Sequence, residues 1–239
     1  MNKKTLLGII EKYWLAGTVE SVKWVVKNNQ LKIGFVSKDR SVIGSLIADK
    51  FEMQDCEFGV YTTSELIKLL GPMDDDLKFT PQNIGDRISS MKFADNNFKS
   101  TYVLSDPNII PPPAKIKQLP TFECSIKVDE KFTSSLLKSS GAMSDMASFA
   151  IQTMGNSATV TVGYSENNTN RISFKTDIEC TKDMGPKLFS IDVLKSILVA
   201  NKGATGIVIK IADAGLMKVQ VVGEKYQVIY FVVELQGAN

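Results

Sequence analysis

The stretch Ser105-Asp106-Pro107-Asn108-Ile109-Ile110-Pro111-Pro112-Pro113-Ala114-Lys115-Ile116-Lys117-Gln118-Leu119-Pro120 holds five of the chain's eight prolines. Three prolines in a row can neither continue a helix nor donate to a central strand, so the segment reads as an extended, semi-rigid connector. Its isoleucines place it against protein. The 239 residues then divide into a first domain over 1–106, a connector over 107–120 and a second domain over 121–239, each flank large enough for its own core.

Working outward, the flanks repeat one order of elements. The first opens with a helical pattern from Lys3 to Ala16. Leu6, Leu7, Ile10, Tyr13 and Trp14 lie on one face, with Lys4, Glu11 and Lys12 on the other. A hairpin over 19–26 and 31–36 turns at Asn28-Asn29, and a third strand follows over 41–48. Gly59-Val60-Tyr61-Thr62-Thr63-Ser64-Glu65-Leu66 is a strand end feeding a helix, with Thr62 and Glu65 spaced as a capping box. Strands around 77–80, 88–94 and 100–104 close the half, the last two joined by Asp95-Asn96-Asn97. The second flank runs through a strand at 122–128, a helix capped by Asp129, a hairpin over 147–153 and 158–164, a turn over 166–170, a strand at 171–177, and Phe189-Ser190 leading into a helix. Three strands, at 206–212, 216–222 and 227–235, end it. Tyr61 aligns with Phe189 and Leu6-Leu7 with Leu136-Leu137, at offsets of 128 and 130, which argues for duplication. Two amphipathic helices cover only one face of so many strands. The expected class is therefore α+β: two duplicated domains, each with two short helices on antiparallel sheet.

Composition narrows the chemistry. Histidine is absent, which removes the commonest general acid–base side chain and the commonest zinc ligand. Cys56, Cys124 and Cys180 are few and far apart and read as free thiols. No dinucleotide or phosphate-loop glycine motif and no nucleophile elbow occurs, so no catalytic residue, metal ligand or cofactor is expected. Lys202-Gly203-Ala204-Thr205-Gly206 reads as a helix end and turn. Asp74-Asp75-Asp76 reads as a solvated turn, the alternative being a divalent-cation site. Asn167-Asn168-Thr169 matches a glycosylation acceptor but reads as a hairpin turn. The apolar runs are too short to span a bilayer, and the mixed segment after Met1-Asn2-Lys3-Lys4 is not a signal-peptide core.

A net charge of +2 leaves only the distribution of charge to be informative. Residues 3–17, 62–71, 129–141 and 187–202 carry nine basic and five acidic side chains, so the helices are net positive and the remainder slightly negative. Lys131, Ser135 and Lys138 share one polar stripe opposite Phe132, Leu136 and Leu137. Lys195 and Lys202 are spaced by seven.

Phe58-Gly59-Val60-Tyr61-Thr62-Thr63-Ser64-Glu65-Leu66 with the Asp74–Asp76 turn, Ser100-Thr101-Tyr102-Val103-Leu104 running into Asp106-Pro107, and Phe189–Leu198 with the terminal Tyr226–Leu235 carry a resemblance. In this order the chain resembles the PCNA-like DNA sliding clamps, in particular the DNA polymerase processivity factor of T-even-type tailed bacteriophages. The first clamp domain departs from the pattern in that only Met1-Asn2 precede its first helix. The resemblance implies a non-enzymatic homotrimeric ring around double-stranded DNA, loaded by a clamp-loader ATPase, tethering DNA polymerase and, in some relatives, late-transcription factors. It would act in the cytoplasm of an infected bacterium. Carried over residue by residue, Lys3, Lys4, Lys12, Lys68, Lys131, Lys138, Lys195 and Lys202 would face DNA, with Lys115 and Lys117 at the margin. Val36, Val42, Ile109, Ile110, Val233 and Leu235 would form the partner-peptide pocket. Thr101, Tyr102 and Val103 of one subunit would meet Arg171, Ile172, Ser173 and Phe174 of the next. Two rival readings stand beside it: a viral structural or assembly protein of duplicated α+β domains without a DNA role, and an enzyme using Asp74–Asp76 with a metal.

Overall fold

The computed structural model describes residues 2–85, 87–113, 116, 118–165 and 170–236. The chain divides into two compact units, 1–114 with 225–228 and 115–224 with 229–239. The turn expected over 166–170 and the acceptor triplet at Asn167 fall almost wholly outside the described residues, as do Lys115 and Lys117.

The first unit contains α1 (Lys3–Trp14), β1 (Val22–Lys27), β2 (Gln30–Val36), β3 (Val42–Asp49), β4 (Cys56–Val60), α2 (Thr63–Leu70), β5 (Lys78–Ile84), β6 (Arg87–Ala94) and β7 (Lys99–Val103). The second contains β8 (Cys124–Lys127), α3 (Glu130–Ala142), β9 (Ser148–Met154), β10 (Ser157–Val162), β11 (Ile172–Asp177), β12 (Glu179–Cys180), β13 (Lys187–Ser190), α4 (Ile191–Ala200), β14 (Gly206–Ala212), β15 (Leu216–Val222) and most of β16 (Tyr226–Val233). Within the first unit the strands run β3-β2-β1-β4 and β5-β6-β7. Within the second they run β11-β10-β9-β13 and β12-β8-β14-β15-β16. Strand for strand the orders coincide, with β8 and β12 added beside β14. Among the described residues neighbouring strands within each unit pair antiparallel, as in β1–β2, β1–β4, β5–β6, β6–β7, β9–β10, β10–β11, β9–β13, β8–β14 and β14–β15.

The expected α+β class and the duplication both hold in this topology, but the register of the repeat needs a correction. The helix caps Asn2 and Asp129 stand 127 apart, and Thr62 and Ser190 stand 128 apart. Cap for cap, Leu6-Leu7 therefore match Thr133-Ser134, and the buried Leu136 lies within one residue of the counterpart of Ile10. Tyr61 and Phe189 do both precede a helix cap, yet Tyr61 is exposed and Phe189 fully buried.

Local chemistry explains the helix starts. Asn2, Asp129 and Ser190 accept from the N–H of Thr5, Phe132 and Val193. The capping box expected at Thr62 does not form: the Thr62 side chain makes no cap bond. Glu20 replaces it, its Oε2 accepting from Ser64 N at 2.9 Å. A carboxylate reaching in from the start of β1 satisfies an orphan N–H and also suits the positive end of the helix.

The cores are aromatic at their centres. In the first unit Trp24 meets Tyr13, Phe51 and Phe58 at centroid distances of 6.2, 5.9 and 5.5 Å. In the second, Phe149 meets Phe189 at 6.2 Å and Phe132 meets Phe174 at 5.7 Å. The cysteine reading is also corrected. Cys124 and Cys180 oppose each other in the β8–β12 pair and form a disulfide; their separation of 56 residues hid the contact. Cys56 is free, and burial pushes its thiol up to about 11.

Candidate nucleic-acid interface

Each unit pairs two amphipathic helices by burying one stripe of each: Leu6, Ile10 and Tyr13 with Leu66 and Leu70, and Phe132 and Leu136 with Leu194, Ile197 and Leu198. The opposite stripes carry charge. Lys4, Lys68, Lys131, Lys138, Lys195 and Lys202 are exposed, against the exposed acids Glu11, Glu65, Glu130 and Asp192 on the same helices. Lys138 and Lys202 line one open cleft of about 740 Å³ between α3 and the end of α4, floored by Leu137, Leu198 and Val199.

Two lysines of the expected set are otherwise engaged. Lys12, expected on the polar face of α1, is buried at 9% exposure. Its Nζ donates to Gly8 O at 2.8 Å and lies 4.3 Å from the centre of the Tyr226 ring. Burial pulls its ammonium below the ordinary lysine range, the nearby Glu11 opposing this. The long stem fills the groove beside α1 while the head finds a carbonyl and a ring face, so polarity alone misplaces it. Lys3 folds across to the end of α2. Its Nζ donates to Gly71 O at 2.8 Å and also to Met73 O, and its backbone N–H reaches Asp75 O at 3.1 Å. It is a helix C-cap contributed by another helix.

The Asp74–Asp76 turn is tied into the protein. Asp74 N donates to Asp95 Oδ2 at 2.6 Å, and Asn97 Nδ2 donates to Asp74 Oδ2 at 3.3 Å. Asp95 also receives the N–H groups of Asn97 and Phe98, and these bonds hold its carboxyl below the usual carboxylate range.

The two strands expected as subunit edges are both terminal in their sheets: among the described residues β7 pairs only with β6, and β11 only with β10. On β7, Thr101 and Val103 are exposed. Tyr102 is buried, its hydroxyl donating to Thr62 O and accepting from Thr62 N, each at 3.1 Å. On β11, Ser173 is exposed and Ile172 and Phe174 are half-buried; Arg171, just before it, is exposed. β5 is the other terminal strand of the β5-β6-β7 sheet. Pro81 and a register shift between Gln82 and Asn83 blunt it as a pairing template.

The residues chosen for a partner pocket differ in accessibility. Ile109 is 61% exposed and Val233 46%, Val36 and Leu235 are half-buried, and Val42 and Ile110 are buried. Leu235 is held by its N–H donating to Leu188 O at 2.8 Å.

No family model matches the chain, and no curated protein matches it. Solved structures do. Proliferating cellular nuclear antigen from Entamoeba histolytica superposes with a TM-score of 0.74 at 14% identity, over 98% of this chain and 96% of that one. The PCNA of A. fulgidus, in a structure with the C-terminal region of FEN-1 bound, gives 0.77 at 13% identity over 100% and 98%. The PCNA of Thermococcus kodakaraensis gives 0.75 at 13% identity over 98% and 97%. At these identities the similarity is one of architecture, and over its whole length this chain has the fold of the PCNA sliding clamps.

Proposed function

We propose that the chain is a DNA sliding clamp, acting as a processivity factor. The observation that carries the reading is the repeat of sheet order and helix pair in two units of clamp fold, β8 and β12 being additions in the second, with a terminal strand left open in each, β7 and β11. Three copies joined by β7 of one and β11 of the next would close a ring of six repeats. This head-to-tail contact is heterologous and pairs edges that otherwise stay open. The helices would form the inner wall. Lys4, Lys68, Lys131, Lys138, Lys195 and Lys202 are the residues assigned to DNA, with Lys3 and Lys12 supporting the helices that carry them.

The physics favours sliding. Exposed ammonium groups on flexible stems attract phosphate without reading bases. Screening over about 8–10 Å at cellular salt keeps the attraction soft. Retention would come from encirclement, so the protein needs neither a strongly basic surface nor a catalytic centre. A ring needs an opener, here assigned to a clamp-loader ATPase, and a cargo, here the replicative DNA polymerase and, by the phage resemblance, late-transcription factors. The bound FEN-1 tail on the A. fulgidus clamp supports docking of partner tails. The assigned setting is the cytoplasm of a bacterium infected by a T-even-type phage.

The test is retention. Loaded on nicked circular DNA, the protein is expected to stay through a salt wash and to leave once the circle is cut. Equal retention on both forms would refute encirclement, and a native mass of one chain would refute the ring.

A further inference from the structure

Gly59 of β4, Lys23 of β1 and Gly34 of β2 stand directly opposite one another across three neighbouring strands. Residues in such a row share one face of the sheet. The row is therefore a trough with a lysine between two positions that lack a side chain. The connector fills both. A Cβ added at Gly59 would lie 2.7 Å from Ile110 Cδ1 and 2.8 Å from Ser105 O, and one added at Gly34 would lie 2.8 Å from Pro113 Cγ. Neither glycine has a positive φ, so the requirement is space, not backbone conformation.

The spacing explains why Ile110 and Pro113 are the residues that enter. Two inter-strand steps measure about 9.6 Å. Three residues of polyproline geometry advance about 9.3 Å and complete one turn, which puts residues i and i+3 on the same side. Ile110 is extended at φ −89° and ψ 112° and only 5% exposed, whereas Pro111 and Pro112 are exposed. Ile109, on the far side, is 61% exposed.

We infer that Gly34 and Gly59 are positioning residues: two notches that fix the register of the connector on the sheet, with Ile110 and Pro113 as its anchors. The seating does not depend on the clamp reading.

Trypsin tests the seat, because Lys115 and Lys117 follow it directly. The rate of cleavage there, relative to wild type, is the readout. Gly34→Ala overpacks against a stiff ring, and cleavage at these two sites is expected to rise about tenfold while cleavage elsewhere stays at the wild-type rate. Adding Pro113→Ala removes the ring that the new methyl strikes and is expected to slow cleavage again. A general folding defect would not be rescued in this way. Ile110→Ala is expected to raise cleavage and Ile109→Ala to leave it unchanged. Wild-type cleavage in Gly34→Ala, or a double variant cut as fast as the single one, would overturn the inference. Native mass recorded on the same samples tests the ring separately, so a monomer with a notch-dependent connector would refute the clamp and keep the seat.

Discussion

Replacing Thr101 by proline gives a sharp test of how copies of this chain would join. The hydrogen-bond ladder shows which backbone groups of β7 are spoken for. Leu104 N donates to Ser89 O at 2.9 Å, so by antiparallel alternation Tyr102 and Ser100 also face β6, while Lys99, Thr101 and Val103 turn N–H and C=O outward. On β11, Ile178 N donates to Asn156 O at 3.1 Å, which leaves Ser173, Lys175 and Asp177 facing outward. Three outward residues offer about six backbone hydrogen bonds per junction, each worth roughly 1 kcal/mol net. Thr101→Pro deletes one donor, leaves the facing carbonyl unpaired and inserts a ring into the junction, a loss of about 3 kcal/mol. That weakens each junction roughly 100-fold. The intramolecular ladder is untouched, because the lost N–H was not in it. Sedimentation at micromolar protein is expected to show a trimer for the wild type and a folded monomer for Thr101→Pro, with unchanged circular dichroism. Ser173→Pro on the opposing strand is expected to behave alike, whereas Tyr102→Pro, striking an inward N–H and a buried ring, unfolds the β6–β7 edge. A Thr101→Pro protein that remains trimeric at wild-type concentrations would show that β7 is not the joining edge.

The other expectations concern charge and covalent structure. Lys131→Glu with Lys138→Glu is expected to lower DNA-dependent polymerase stimulation and to reduce the salt slope of DNA association by about 1 per lysine in phosphate contact, with the trimer intact; unchanged stimulation would place those lysines away from DNA. Lys3→Met removes the cap on α2 and is expected to lower thermal stability by about 1 kcal/mol with DNA loading unchanged. The reverse pattern would assign Lys3 to DNA. Reducing the Cys124–Cys180 bridge, which spans 56 residues, is expected to destabilise the second unit by up to about 4 kcal/mol on a chain-entropy basis. Identical melting with and without dithiothreitol would remove that staple.

Much of the architecture was legible because it depends on local pattern. Strand alternation, Asp129 and Ser190 as caps and the proline run each act over a few residues, and their order exposed the repeat. The departures from local expectation share one physical origin: they involve partners that sequence pattern alone does not bring together. Glu20 displaces Thr62 as the α2 cap from 44 residues away. Cys180 reaches Cys124 across a strand pair. Lys3 finds the end of α2, and Lys12 slips under Tyr226, where a helical wheel gives it a solvent-facing slot. Burial also separates Ile110 from Ile109, adjacent residues of one chemical type. The missed notches left a readable sign, since a glycine inside a strand pattern points to close backbone approach; Gly34 and Gly59 both have that context, and only the in-register Lys23 between them shows that they act together.

The weakness of the charge signal is itself informative about mechanism. A protein that holds DNA by contacts alone needs many phosphate ligands, because each is soft at cellular salt, and its sequence would be strongly basic. A ring would multiply what one chain presents: the six exposed helix lysines assigned to DNA in each copy would become eighteen around a closed trimer, while each copy stays near neutrality. Neutral copies repel one another little as they assemble, and diffuse positive charge leaves no deep binding minimum to stall movement along the duplex. The demanding part of such a design lies in the junctions and in the connector, where backbone edges and glycine notches must fit to within a few tenths of an ångström. Those are the places where one substitution, Thr101→Pro or Gly34→Ala, is expected to matter more than the loss of any single positive charge.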